Sequence, residues 1–249
     1  MNGPPRAGLI IPSLLTLAGL AVLIGLGTWQ LERKAWKEAL IDTIARRLEA
    51  APGAIPPRES WSRLDPAEQE FRRVAFRAAF VDDEALVYTT GSALRADVSG
   101  PGYWVFAPAR LTDGSLVVVD RGFVPDGRQD PASRPQGRLS GPVDLVGVMR
   151  WPEPPGFFTP GPDLGRNTWF VRDHLAIAAA RRWGAIAPFH VAQEAPPAPG
   201  GLPRVGKVAP NLPNNHLAYA LTWYGLAAVL AVVFALWVRS RRGAVTARH

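Results

Sequence analysis

Hydrophobic positions are spread unevenly along this chain: two long apolar runs stand near the ends, and a polar, proline-rich stretch lies between them. From Leu217 to Val238, 22 consecutive residues carry no charge. At ~1.5 Å per residue, such a run crosses the ~30 Å hydrocarbon core of a bilayer as one helix. Ala7 to Gly27 is the second such run, and the pattern predicts transmembrane helices over 7–31 and 216–238. Ala21 and Gly25 are four apart in the first span, and Ala227, Ala231 and Ala235 repeat that interval in the last. Small residues at this spacing let helix backbones approach in lipid, although alanine and glycine are also common in spans that pack on nothing.

Residues 32–71 read as an amphipathic helix running to about Ala50, with Trp29, Trp36 and Leu40 on one side, followed by a linker marked by Pro52, Pro56 and Pro57. From Arg72 the period changes from 3.6 to 2. Strands are predicted over 73–80, 85–90, 103–111, 115–124, 141–150, 167–172 and 188–193. Asp113-Gly114 between the third and fourth is a strong hairpin signal. One helix is expected over 174–184, with Asp173 as its cap. The fold class is therefore a membrane α+β protein, in which two transmembrane helices flank a mainly antiparallel β extramembrane domain (72–215) with one or two helices. A basic tail, 239–249, follows the second span.

The formal charge of +7 changes this picture little, because Arg6 and the four arginines of the tail supply five of those charges. Basic flanks beside apolar spans follow the positive-inside rule, so both termini are expected in the cytoplasm and the central domain on the other face. No clustered basic stripe with interleaved aromatics supports nucleic-acid binding. The first run is longer than a signal-peptide core and no A-x-A site follows, so an uncleaved anchor is expected. The chain has no cysteine, which excludes thiolate metal sites, cysteine nucleophiles and covalent c-type haem attachment. With Met1 and Met149 the only methionines, a soft copper site is disfavoured. An Ala/Arg/Pro-heavy composition without an Arg/Ser-rich transit peptide suits a bacterial inner membrane.

No nucleophile elbow, phosphate loop, paired-histidine metal motif or dinucleotide fingerprint is present, so no enzyme is expected. Asp82-Asp83-Glu84 reads as a solvated turn. Asp120-Arg121-Gly122 reads as a strand-end group whose arginine is either structural or free to pair with a carboxylate of a partner or ligand. Among four histidines, His249 is terminal, while His174 and His190 sit in apolar patterns and suit a core. His216 stands at the mouth of the second span, after Pro213-Asn214-Asn215, where either asparagine can cap the helix. Tyr219, Ala220, Trp223 and Ala227 follow it on one helical face. An ionisable group there is either a functional residue or an interfacial cap. A neutral imidazole beside aromatics on a small-residue face suits a haem, which needs an axial nitrogen and an apolar slot.

Several stretches resemble the surfeit locus protein 1 family, assembly factors of cytochrome c oxidase. Gly27-Thr28-Trp29-Gln30-Leu31-Glu32-Arg33 with Trp36-Lys37 is similar to the family's exit from its first span. Gly102-Tyr103-Trp104-Val105 and Val117 to Pro125 resemble its central hairpin, with Asp120 and Phe123 where the family more often has Asn and Trp. Asn167 to Asp173 resembles its late strand, and Pro213 to Leu217 with Tyr219-Ala220 and Thr222-Trp223-Tyr224 is the most specific likeness. The resemblance implies a protein that binds haem a and helps place it in subunit I of the oxidase. Its implied partners are cytochrome c oxidase subunit I, haem a synthase and the lipid bilayer, not nucleic acid. By carry-over His216 would be the axial ligand to the haem iron, with Trp223 and Tyr219 beside the ring. The competing expectation is a membrane-tethered scaffold that stabilises oxidase assembly intermediates without binding haem, in which His216 only caps a helix.

Overall fold

The structure, a computed structural model, describes residues 7–246; Arg6, Arg248 and His249 lie outside them. By internal contacts the chain divides into two compact units, one made of residues 1–43 with 213–249, the other of Ile44–Leu212.

The apolar runs form α1 (Ala7–Glu49) and α4 (His216–Thr246). Leu14, Leu15, Leu17 and Val22 of α1 are each at least 60% exposed, and Val229 and Leu236 of α4 are as open. A helix that turns its large apolar residues outward suits lipid, not water or a protein core. Both helices are long and apolar enough to span, over Leu9–Glu49 and His216–Arg241. The protein is thus a membrane α+β protein. No break separates the first span from the amphipathic stretch; α1 is one helix of 43 residues.

Small residues line the face that α1 and α4 share, but most are not the expected ones. Gly27 lies so near Tyr224 that a Cβ there would sit 2.8 Å from the phenol ring, and Gly19 faces Leu230. Ala220 and Ala227 of α4 are buried. Ala21, Gly25, Ala231 and Ala235 point outward, contrary to the expected stripe. Two residues beyond Gly19 is ~200° around a helix, so Ala21 cannot share its face.

In the second unit the chain forms β1 (Gly53–Ala54), α2 (Pro66–Gln69), β2 (Arg73–Phe80), β3 (Ala85–Gly91), β4 (Ser99–Leu111), β5 (Leu116–Pro125), β6 (Pro142–Arg150), β7 (Thr168–Trp169), α3 (His174–Arg181) and β8 (Ile186–Ala195). The sheet order is β1-β2-β6-β8-β5-β4-β3-β7, with a further pairing of β2 to β4. That pairing closes β2, β6, β8, β5 and β4 into a ring. It is made by the end of β4, where Ala109–Leu111 lie opposite Ala78–Phe80, while the start of the same strand pairs β3. Five pairings are antiparallel; β1–β2, β3–β7 and β5–β8 are parallel.

Strand alternation distributes the core. Val117, Val119, Phe189, Val191, Leu145, Met149 and Val74 meet in one cluster, contributed by strands of the ring. Val118, Phe106, Trp104 and Phe123 face the other way and pack with Ile177, Ala178 and Trp183 of α3 and its end. Asp173 caps α3 as expected, accepting from the N–H groups of Leu175 and Ala176 at 3.0 Å. The helix stops at Arg181 because Arg182 turns left-handed.

Two expectations fail here. The acidic triplet is not a solvated turn: Asp83 pairs with Arg181 and accepts from Trp183 Nε1 at 2.7 Å, and Glu84 pairs with Arg134, leaving only Asp82 in water. Asp120 and Arg121 are not a strand-end pair but flank an irregularity in the β4–β5 register. Asp120 Oδ1 accepts from Gly122 N at 3.0 Å. Gly122 has a φ of +108°, and a Cβ on it would lie 2.4 Å from the carbonyl oxygen of Arg204. The bulge therefore requires glycine, and it sends the two charges into different surroundings.

Candidate functional site

Pro213 keeps the chain extended before α4, and Asn214 Oδ1 accepts from the His216 backbone N–H at 3.4 Å. The imidazole is partly buried and its Nδ1 lies 2.6 Å from Oε1 of Gln30 on α1. A carbonyl oxygen only accepts, so Nδ1 carries the proton and the lone pair of the neutral ring is on Nε2. Around this contact, Lys37 Nζ donates to the Pro213 carbonyl at 2.5 Å and Thr28 Oγ1 lies 3.1 Å from the Tyr224 hydroxyl. These three bonds tie α4 and the segment before it to α1.

The other site residues spread across the edge of this face. At ~100° per residue, Trp223 stands about 20° and Tyr219 about 60° from His216, both on the same side. Trp223 is partly buried and Tyr219 is 58% exposed. The three residues run from the helix contact outward, the imidazole innermost. An imidazole with one nitrogen engaged by Gln30 and with Trp223 and Tyr219 near it on the helix is a donor set that fits a porphyrin iron. Gln30 was missed as a site residue. Its one signal in the sequence is being an amide inside the uncharged stretch 7–31.

His174 and His190 lie elsewhere, deep in the β domain, with ring centroids 5.0 Å apart. His174 Nε2 donates to the Ala187 carbonyl at 3.2 Å, and His190 packs on Phe106. Burial pushes His174 down to about 4 and His190 well below the ordinary imidazole range, the latter helped by His174, Arg150 and Arg172. Both are neutral core residues at physiological pH. Asp120 is buried and its carboxyl is pushed up by that burial, against the pull of Arg172. Arg172 stacks over Trp104 at 4.3 Å. Among the described residues no three His, Cys, Asp or Glu side chains gather as a metal site.

A pair of long apolar helices joined through a histidine, with a closed β ring between them in sequence, defines the class as a two-span membrane α+β protein. The chain belongs to the SURF1 family, whose sequence profile matches residues 17–228. It is 35% identical over 228 residues to the SURF1-like protein of Monosiga brevicollis, covering 89% of this chain and 84% of that protein. Surfeit locus protein 1 of Takifugu rubripes is 34% identical over 229 residues, covering 86% and 91%. Surfeit locus protein 1 of Homo sapiens is 34% identical over 225 residues, covering 84% and 72%.

Proposed function

We propose that this chain is a non-enzymatic assembly factor of cytochrome c oxidase that binds haem a transiently and assists its insertion into subunit I. Membership of the SURF1 family supports the oxidase, and the bond from His216 to Gln30 supports the haem. That bond is the observation that carries the reading, because it leaves Nε2 as the ligating nitrogen and fixes the ring's orientation. When bound, the haem supplies redox-active iron that belongs to the oxidase; here it is cargo. His216 would hold the iron through Nε2, with Gln30 keeping the proton on Nδ1, and Trp223 and Tyr219 would offer apolar flanks. A single imidazole on an open edge suits cargo that must be released. Haem a synthase is the proposed donor and subunit I the acceptor. The basic flanks of the spans support a reading with both termini in the cytoplasm and the β domain in the periplasm of a bacterial inner membrane. The relatives named above are eukaryotic, so that location rests on this chain's own charges and composition.

The same bond favours a second reading, in which His216 is a clasp between helices and the protein is a scaffold for oxidase intermediates. An absorption spectrum of the detergent-purified chain, made in cells that synthesise haem a, separates the two. A Soret band in the wild type that vanishes in a folded His216→Ala variant is the expected result. A colourless, folded wild type would sink the haem reading and leave the scaffold, and a band retained in the variant would remove His216 as ligand.

A further inference from the structure

The β domain holds a cation without a counter-ion. Arg121 is 7% exposed and its guanidinium carbon lies 4.6 Å from the centre of the Phe80 ring. Its Nη2 donates to the Gly137 carbonyl at 2.5 Å, and its Nε is buried without a partner. Among the described residues no carboxylate stands within ion-pair distance of it. A buried guanidinium left unpaired is costly, so its surroundings need an explanation.

Those surroundings are a cleft of about 440 Å³ beside the β2–β3 turn. Five arginines line it against three aspartates and one glutamate. Three of these acids are already engaged, and Asp82 stands mostly in water. Glu84 pairs with Arg134, Asp83 with Arg181, and Asp82 lies 3.8 Å from Arg138. Asp130 accepts from Ala132 N at 2.9 Å as the cap of a turn. Arg166 lies 3.8 Å from Asp163, so of the five arginines in this lining Arg121 alone has no acid within ion-pair distance among the described residues; it stands at the buried end, while Arg138, 62% exposed, stands at the rim.

We propose that this cleft binds a carboxylate group, with Arg121 as its inner partner and Arg138 as its outer one. A planar guanidinium matches a planar carboxylate in a two-point contact. One unpaired guanidinium matches a monoanion, whereas a phosphoryl dianion would meet four carboxylates in the walls. The carboxylate can come from a small free acid or from an acidic side chain of a polypeptide. This site lies within the β domain and does not rest on the haem reading.

The test is thermal unfolding of the full chain in detergent, followed by tryptophan fluorescence at fixed ionic strength. Acetate, inorganic phosphate and a capped tripeptide carrying one glutamate replace chloride in turn. At about tenfold above the half-saturating concentration, a carboxylate should raise the wild-type Tm by about 2–4 °C. Arg121→Gln should show no rise. A tripeptide that saturates at much lower concentration than acetate marks a polypeptide acid, and equal potency marks a small free acid. Should Arg121→Gln not fold, Arg138→Gln still decides: its half-saturating concentration should increase several-fold. No rise in the wild type, an equal rise in Arg121→Gln, an unchanged Arg138→Gln, or a larger rise with phosphate than with acetate would each overturn the proposal.

Discussion

The protein contains histidines in two kinds of surroundings, and the contrast separates the work of its two units. In the β domain, His174 and His190 are fully enclosed and neutral, their rings 5.0 Å apart and tilted by 57°. In the helix unit, His216 is only partly buried and keeps one nitrogen engaged by Gln30. Enclosure removes a side chain from chemistry with anything outside, because no ligand reaches it and its charged form is penalised. A half-open imidazole with a fixed tautomer retains a lone pair for use. The β domain encloses its two histidines as part of its own architecture, and the helix pair presents His216 at the edge.

If that contrast holds, the largest effects of substitution belong to the β domain's backbone. Gly122→Ala would place a Cβ 2.4 Å from the Arg204 carbonyl, at a φ of +108°. Backbone on backbone leaves nothing flexible to yield, so the loss should exceed ~4 kcal/mol. Thermal unfolding should show the domain's transition lost or moved far down. A shift of only a few degrees would show that the bulge can relax.

Acid should act next, and through the enclosed histidines. His174 has a folded value of about 4 against an ordinary 6.5. Between those pH values the unfolded chain binds a proton that the native chain refuses, so stability falls as pH drops from 6.5 towards 4. The loss for this residue reaches roughly 3 kcal/mol. His190 is lowered as well and acts in the same direction. Asp120, raised by burial, acts oppositely, because its protonation favours the folded state. Asp83 and Asp97, lowered by Arg181, Trp183 and Arg95, lose their contribution only below the ordinary carboxylate range near 3.8. Chemical denaturation at pH 7, 6, 5 and 4 should therefore show a slope that His174→Met reduces. An unchanged slope in that variant would place the acid sensitivity elsewhere.

How much of this was legible in the sequence follows from the range of each interaction. Most local signals read true: the period-2 runs marked the strands, although only Thr168–Trp169 of the expected 167–172 is strand, and Asp113-Gly114 marked the hairpin and Asp173 the helix cap, because each depends on neighbours within a few residues. Closure of the ring was not legible, since the pairing of Ala78 with Leu111 depends on how far β4 extends past its partner β3. The acidic triplet was misread because its partners Arg134 and Arg181 are 50 and 98 residues away. In the helix unit the apolar pattern announced both spans. The seam was not readable, because small residues recur all around both helices and only contact distinguishes Gly27 from Gly25. His216 stood out by its position, but Gln30, 186 residues away, has meaning only once the two helices meet.

A smaller effect is expected from Gln30→Leu, and it tests the helix side of the contrast. The variant leaves Nδ1 without its acceptor, so the proton redistributes between the two ring nitrogens. Nitrogen-15 spectra of the haem-free chain should show His216 protonated on Nδ1 in the wild type and a mixture in the variant. Outer-shell partners of this kind alter metal affinity about 10–100-fold, and haem retention should weaken accordingly. A wild type protonated on Nε2 would contradict the assigned role of Gln30 even if haem binds. A correct tautomer without haem binding would instead count against the proposed cargo.

The smallest effect should come from Lys34→Gln. Lys34 and Glu38 form an i,i+4 ion pair at 2.8 Å on α1, with both side chains substantially exposed at 31% and 50%. An exposed pair of this kind contributes ~0.3–0.5 kcal/mol, and salt screens it. The Arg73–Glu194 pair in the β domain has a similar length, 2.9 Å, but Glu194 is only 7% exposed and also accepts from Val208 N. Removing Arg73 would leave a buried carboxylate short of a partner, whereas removing Lys34 leaves Glu38 in contact with water. The expected Tm change for Lys34→Gln is thus close to the error of the measurement at high salt and barely above it at low salt. A loss of several degrees that persists in high salt would mean that charge on the helix unit is structural after all, and the division of labour drawn from the histidines would fail on its helix side.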